Sequence, residues 1–374
     1  MRIGFEAKRA FHNKTGLGNY SRDLIRILSK FYPNNTYYLF NPKKSKESLL
    51  RVNNENVFEI TPPNFFLNFF KNYWRQFAVT KEIKQNNIQI FHGLSGELPF
   101  GLMRYKIKSV VTIHDLIFIR YPELYSYFDR KIHYYKFKKA AMNADLIIAI
   151  SEQTKQDIVD FLKIDSSKIR VVYQGCHDSF KVHYSDECKK GVLDKYNISN
   201  KYILNVGTIE ERKNALIIVK ALNKVDINID LVLIGKQKKY AKEIHDYIKE
   251  HHLEHRVHFL QGVTQEELAI LYQKASVFVY PSIFEGFGIP IIEALFSKVP
   301  VITSNSGVFP EAGGPNSYYI DPLDENALSE TVKWIFLNTD EVRSNVEKSY
   351  EFVQKFRDEN IVFEINKVYQ ELLV

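Results

Sequence analysis

The residues best placed to do chemistry fall in a few short stretches, and the strongest is Val277–Glu293, VFVYPSIFEGFGIPIIE. A strand pattern stops at Pro281, and a loop follows carrying Glu285, Gly286, Phe287 and Gly288. A helix is predicted from near Pro290, because proline suits a first helical turn and glycine lets backbone approach a ligand closely. The free amides of such a helix start bind anions, a phosphate in particular. Glu285 on the loop and Glu293 further along the helix flank that corner. Together they can accept hydrogen bonds from sugar hydroxyls on either side of a phosphate. Taken singly, Glu285 reads as loop solvation and Glu293 as a helix-end charge.

Arg212 and Lys213 come next, in GTIEERKN after the strand pattern Tyr202–Val206. Adjacent cations there can clamp a diphosphate from two directions. The plain alternative is a solvated helix start, but cations at that end oppose the helix dipole, and an anion would relieve them. Gly16 and Gly18, in KTGLGN, form a short glycine loop that opens a helix. It completes neither a dinucleotide fingerprint nor a Walker loop, and alone it reads equally as a flexible turn. His114 and Asp115 end the strand pattern VVTIHD. The histidine can hydrogen-bond a sugar or be structural, and Asp115 can cap the next turn; His92, at another strand end, reads the same way. The chain contains no Asp-x-Asp, no His/Cys/carboxylate cluster for a metal, and no nucleophile elbow.

Two series of elements must position these residues. Strands are predicted near Ile3–Glu6, Tyr37–Phe40, Val57–Ile60, Ile88–Phe91, Val110–His114, Leu146–Ile150 and Ile169–Val172. A second series runs Tyr202–Val206, Leu231–Ile234, Val257–Leu260, Val277–Tyr280, Val299–Thr303 and Tyr318–Ile320. Amphipathic segments such as Tyr20–Phe31, Ser126–Met142, Asn214–Leu222, Gln265–Lys274 and Asn326–Leu337 alternate with them. This alternation predicts an α/β protein with two doubly wound, Rossmann-like domains, each binding ligands at the carboxyl ends of its strands. The first is expected over residues 1–175 and the second over 176–345. Residues 173–200 are polar without a sustained period and read as a linker.

With 374 residues, 45% hydrophobic and 25% charged, the composition excludes whole-chain disorder, collagen and coiled coil. No charge-free run is long enough to span a membrane, and the opening residues lack a signal-peptide core. Cys176 and Cys188, without companions, suggest neither a disulfide framework nor zinc. The expectation is a cytoplasmic protein, with the inner face of the membrane as its alternative location. Residues 1–185 hold 29 Lys+Arg against 16 Asp+Glu, a balance of +13, and the remainder holds 22 against 28, or −6. The dispersed cations carry no nucleic-acid motif. They fit an anionic membrane face, a phosphate-bearing acceptor, or a lysine-rich solvated surface. Residues 64–75, NFFLNFFKNYWR, read first as buried helix core, with an interfacial membrane anchor as the alternative.

Taken in order, these motifs resemble the retaining family 4 glycosyltransferases of the GT-B fold. PSIFEGFGIPIIEAL, with PVITSNSGVFPEAGG and YYIDPLD, carries the resemblance most specifically. LNVGTIEERKN, VVTIHDLIFIRYPELYS, ADLIIAISEQTKQDI and TGLGNYSRDL support it. The wording around IHDLIFIRYPE and VGTIEERKN looks most like the bacterial mannosyltransferase branch used in O-antigen and capsule assembly. The resemblance implies two lobes facing across a cleft, with residues 346–374 as a helix returning to the first lobe. It implies that Arg212 and Lys213 bind the donor diphosphate and that Glu293 holds the ribose hydroxyls. Glu285, with the backbone of Gly286, Phe287 and Gly288, would contact the transferred sugar. Gly16 and Gly18 would approach the diphosphate, and His114 would touch the sugar. Ser306-Gly307-Val308-Phe309 departs from the Ser/Leu-rich stretch usual before Pro-Glu.

The implied reaction is transfer of a sugar, GDP-mannose being the expected donor, to a glycan or lipid-linked glycan, with no metal and no cofactor beyond the nucleotide sugar. No covalent nucleophile stands out, which favours front-face transfer with retention, the departing phosphate taking the acceptor proton. A glucosyl- or N-acetylglucosaminyltransferase using a UDP-sugar is the alternative. A non-catalytic carbohydrate-binding protein has no use for an Arg-Lys clamp, and an NAD-dependent dehydrogenase needs a glycine fingerprint that residues 1–40 lack.

Overall fold

The apolar runs become parallel strands buried on both faces. The computed structural model describes residues 1–44, 49–50, 54–64, 67 and 69–374. β1 (Arg2–Glu6), β2 (Thr36–Phe40), β3 (Val57–Ile60), β4 (Ile90–Gly93), β5 (Lys108–Ile113), β6 (Leu146–Ala149) and β7 (Ile169–Val171) form one sheet, ordered β3-β2-β1-β4-β5-β6-β7. β8 (Tyr202–Val206), β9 (Asp230–Ile234), β10 (Val257–Leu260), β11 (Val277–Tyr280), β12 (Val301–Ser304) and β13 (Tyr318–Ile320) form the other, ordered β10-β9-β8-β11-β12-β13. The pairings are parallel throughout both sheets. Each sheet grows outward in both directions from one junction, β1 beside β4 in the first and β8 beside β11 in the second. The crevice above the carboxyl ends at such a junction is where open α/β sheets bind ligands.

The chain divides into two compact units, Met1–Gln174 with Asp358–Val374, and Gly175–Arg357. The last helix, Asp358–Glu371, belongs to the first unit. It buries Ile361, Val362, Ile365, Val368 and Tyr369 in the cluster that also holds Ile3, Phe5, Leu24 and Leu28. The three- and four-residue spacing of those side chains makes one apolar stripe. The return expected from residue 346 begins at Asp358. Helix Thr339–Val353 stays with the second unit, and the turn after it is anchored there by Phe356, fully buried and edge-on to Phe287.

Other differences have local causes. The expected linker contains helix Asp186–Lys195, capped by the Ser185 hydroxyl, which accepts the Cys188 N–H at 3.3 Å. That helix buries only Lys189, so it leaves no apolar period to detect. Gly16 and Gly18 sit in the first turn of helix Gly16–Phe31 rather than in a loop, and a short helix, Lys8–His12, separates them from β1. Residues 65, 66 and 68 of the aromatic stretch lie outside the described residues. Of the rest, Trp74 is buried, but Phe69, Phe70 and Tyr73 are 72%, 46% and 54% exposed, so the described residues of the stretch are not helix core. Trp74, opening a π-helical turn over Trp74–Ala78, is buried in the cluster with Ile83 and Phe91, and Leu67, partly buried, packs against it.

Candidate active site

In the second unit, the loops after β8 and β11 meet at the sheet junction. After β8 the chain makes a 3-10 turn, Glu211–Lys213, and Asn214 in the left-handed region (φ 55°) starts helix Ala215–Lys224. The loop after β11 is pinned to that turn. Ile283 N–H donates to Arg212 O at 2.9 Å, and the Ser282 hydroxyl donates to the same oxygen at 3.2 Å. These two bonds fix the turn carrying Arg212 and Lys213 against the loop carrying Glu285 before any charged side chain is considered.

The side chains converge on one atom. Glu285 Oε1 lies 2.7 Å from Arg212 Nη1 and 2.6 Å from Lys213 Nζ, and it accepts the Tyr280 and Ser282 hydroxyls, each at 2.9 Å. Lys213 also donates to the Tyr280 hydroxyl, and Arg212 to Phe284 O and, at 3.0 Å, to Glu210 Oε1. Among the described residues Glu285 Oε2 makes no hydrogen bond, and the side chain is 14% exposed, so a carboxylate oxygen remains for an incoming donor. Burial pushes the Glu285 carboxyl up, but Lys213 and Arg212 outweigh it and hold the group at about 2. The Arg212 guanidinium, held by Glu285 against burial, is raised. Glu285 and Arg212 are therefore both charged at neutral pH.

Glu293 behaves oppositely. It lies on helix Ile289–Phe296, which starts at Gly288 with φ 111° and carries Pro290 in its first turn. Its Oε2 accepts the Tyr272 hydroxyl at 3.1 Å. Burial raises its carboxyl to about 7, with the Tyr272 bond pulling the other way. Phe287, beside the helix start, is buried.

In the first unit the resemblance singled out His114, Gly16 and Gly18. His114 follows β5 and is buried. Its Nε2–H donates to Leu94 O at 2.9 Å, its Nδ1 takes the Gln174 amide at 3.0 Å, and Tyr20 packs edge-on at 4.6 Å. Burial lowers it to about 4, so the ring is neutral with both nitrogens engaged. Asp115 accepts the Ile117 N–H at 3.1 Å, the turn cap. His92 is a satisfied core residue between the Tyr369 hydroxyl and Thr112 Oγ1, each at 2.7 Å. Gly18 is held small by packing, since a Cβ there would lie 1.9 Å from Asn13 O, whereas Gly16 has nothing within 4 Å of that position.

The comparisons with known proteins follow the same division. Residues 15–180 match the model for Glycosyltransferase Family 4, and residues 194–352 match that for Glycosyl transferases group 1. The O-antigen chain mannosyltransferase RfbU of Salmonella typhimurium is 30% identical over 68% of this chain and 67% of its own. The chain belongs to the family 4 glycosyltransferases. O-antigen chain mannosyltransferase B of Escherichia coli is 26% identical over 88% of this glycosyltransferase and 89% of its own length. Two solved structures share the fold at TM-score 0.78: a Rickettsia africae glycosyltransferase (19% identical, covering 100% of this chain and 98% of that one) and Anabaena HepE in complex with UDP and glucose (18%, 100% of both). The GT-B architecture of this transferase is therefore shown by both routes.

Sequence reasoning missed Tyr280, Ser282 and Tyr272, which bind the two carboxylates of this glycosyltransferase. Tyr280 and Ser282 lie within the quoted motif, and a hydroxyl-bearing tyrosine closing an otherwise apolar strand was the available signal. Tyr272 comes from the preceding helix, Gln265–Lys274, and its approach to Glu293 is a tertiary fact with no local trace. Among the described residues no three His, Cys, Asp or Glu side chains gather as they would around a metal ion.

Proposed function

We propose that the chain is a retaining mannosyltransferase that moves mannose from GDP-mannose to a glycan or lipid-linked glycan during surface polysaccharide assembly. The observation that carries the reading is the convergence of Arg212 and Lys213 on Glu285 Oε1. Two cations held by one carboxylate are positioned to meet a diphosphate, with the amides at Gly288 and Ile289 as further donors. As the bond from the sugar anomeric carbon to phosphate oxygen breaks, charge grows on that phosphate, and the cations stabilise it. The acceptor oxygen bonds to the same face of the carbon, and its proton passes to the departing phosphate. Glu285 Oε2 takes a sugar hydroxyl, and Glu293 takes the ribose hydroxyls. In the first unit, His114 has both ring nitrogens engaged by Leu94 and Gln174 and so offers no free hydrogen bond in this reading. The mannosyl assignment is supported by the names of the relatives. HepE, which holds UDP and glucose, favours the second reading, a UDP-sugar donor.

Release of nucleotide from a panel of GDP- and UDP-sugars, with calorimetry of GDP, UDP and ADP, tests the donor. UDP binding tenfold tighter than GDP would decide for the second reading. The anomer of the product, read by NMR, tests retention.

The acceptor-side reading includes reversible contact with an anionic membrane through the first unit. Phe77 stacks between Tyr73 and Phe100, and Lys139 lies over Phe100 at 4.0 Å and Tyr135 at 5.4 Å. Exposed Tyr127, Phe128 and Ile132 share the helix that carries Tyr135. Aromatics interleaved with lysine suit a headgroup boundary. Among the described residues no helix is long and apolar enough to cross a membrane. Co-sedimentation with acidic vesicles, lost in high salt and absent with neutral vesicles, is the expected result; equal binding to both removes this part of the reading.

A further inference from the structure

At the second junction one uncharged side chain holds both partners of the central ion pair. Tyr280 closes β11 and is buried. Its hydroxyl donates to Glu285 Oε1 at 2.9 Å and accepts from Lys213 Nζ. Lys213 Nζ also stands over the Tyr280 ring, 4.9 Å from its centroid. The tyrosine is itself fixed in place. Thr303 Oγ1 on β12 donates to its carbonyl at 2.8 Å, and Asn205 Nδ2 on β8 donates to that of Val279 at 2.8 Å. The ring stacks on Phe278 at 5.8 Å and meets Phe309 edge-on at 6.3 Å.

The hydroxyl has one proton, and its destination is set. Burial and the Glu285 charge raise the phenol well above its ordinary value, with Arg212 opposing them, so the group stays protonated and gives its proton to Glu285. A lone pair is then left for Lys213. An ammonium group has three N–H donors that rotate together about one bond. Two of those on Lys213 are spent, one on Tyr280 and one on Glu285 Oε1 at 2.6 Å. With two directions fixed the third is fixed as well, and among the described residues it meets no acceptor. A tyrosine buried for packing needs a single partner for its hydroxyl, as Tyr202 on the neighbouring strand β8 has in Leu271 O at 2.6 Å. Tyr280 binds two ions instead. Phenylalanine in its place would keep the ring contacts and lose only the hold on Lys213.

We propose that Tyr280 is a positioning residue for transfer, its hydroxyl, anchored on Glu285, aiming the remaining N–H of Lys213 at the leaving phosphate. The inference rests on the glycosyltransferase reading and adds to it a residue that acts through Lys213 without touching the donor. The test measures nucleotide release from GDP-mannose and UDP-glucose by the full chain, with calorimetry of GDP and UDP. Tyr280→Phe should lower kcat about tenfold, the scale of one hydrogen bond to a charged group. Nucleotide affinity and KM should stay within about twofold, because Arg212 and the helix-start amides still hold the diphosphate in the ground state. In Lys213→Ala there is no ammonium to aim, so adding Tyr280→Phe should cost less than about twofold more, the non-additivity of two groups acting as one. Tyr202→Phe, which strips a buried hydroxyl from the same sheet, should leave kcat unchanged. Nucleotide binding in each variant shows that it is folded. If the wild type binds neither nucleotide and releases none from either donor, the transferase reading fails and takes this inference with it. If the wild type turns over and Tyr280→Phe matches it, or loses nucleotide affinity as much as kcat, or adds its full loss to that of Lys213→Ala, the positioning role is overturned while the transferase reading stands.

Discussion

Glu293→Gln separates the stability of the second unit from its function. The carboxyl ionises near 4.5 in an unfolded chain and near 7 in the folded one. Between those values the folded protein holds the proton more tightly, so stability falls as pH rises from 4.5 to 7 and is level above. A rise of that size corresponds to about 3 kcal/mol between the two protonation states. Glu293 is only partly covered, and solvent screening trims this to about 2 kcal/mol. Glutamine keeps the shape and an acceptor for the Tyr272 hydroxyl, but it has no charge to bury. In urea titrations followed by Trp334 fluorescence, variant and wild type should be equally stable near pH 4, and the variant should lead by about 2 kcal/mol at pH 8. Nucleotide binding should move the other way. Ribose hydroxyls donate better to a carboxylate than to an amide, so the variant should bind GDP about tenfold more weakly at pH 8, the scale of a charge-assisted bond. Wild-type binding should strengthen from pH 6 to 8, and the variant should lack that slope. A stability gap independent of pH, or identical nucleotide affinities, would refute the reasoning.

Lys213→Ala should lower turnover by about 2–4 kcal/mol of barrier, since Lys213 faces growing charge; His114→Ala should cost less, its ring nitrogens being engaged with Leu94 and Gln174. Near-normal turnover in the lysine variant would remove the clamp. Turnover should persist in excess chelator, and complete loss restored by magnesium or manganese would show that the cations are not sufficient. Gly18→Ala should destabilise the first unit by roughly 1–3 kcal/mol through the clash with Asn13 O, while Gly16→Ala, with open space, should be neutral or slightly stabilising. Equal melting shifts for the two would contradict the packing.

The strands were legible because parallel strands buried on both faces are continuous apolar runs, and few other patterns imitate Val110–Ile113 or Leu231–Ile234. The Glu285 loop was legible because glycine, proline and a carboxylate have separate reasons to be there. Helix Asp186–Lys195 was not, having almost no buried face. The aromatic stretch misled in the opposite sense. Spacing shows that side chains share a helical face but not whether anything covers it, and here Phe69, Phe70 and Tyr73 are uncovered. Tyr272 beside Glu293, and Arg75 between Glu6 and Glu97, join segments distant in sequence. Their residues are ordinary until the sheet order brings them together.

That order explains a symmetry of the two units that no motif expresses. In each, an arginine meets a glutamate at the junction, in the second unit from the loops rising from its two strands and in the first from the π-helical turn that carries Arg75, but the pairing is inverted. At the second junction two cations, Arg212 and Lys213, meet on one oxygen of Glu285. At the first, two carboxylates, Glu6 and Glu97, meet on one guanidinium, Arg75. A carboxylate shared by two cations leaves both able to engage an arriving anion without either being stranded, the requirement for holding a diphosphate whose charge grows during reaction. The first cluster is not short of donors, for Lys136 and the Gln76 amide also reach Glu97, so its ion pairs are already balanced and hold the turn carrying Arg75 to the sheet. Arg75→Lys keeps the charge but loses the planar fork that spans both carboxylates. It should therefore destabilise the first unit, read as a lower melting temperature than wild type, and an unchanged melting temperature would contradict the pairing.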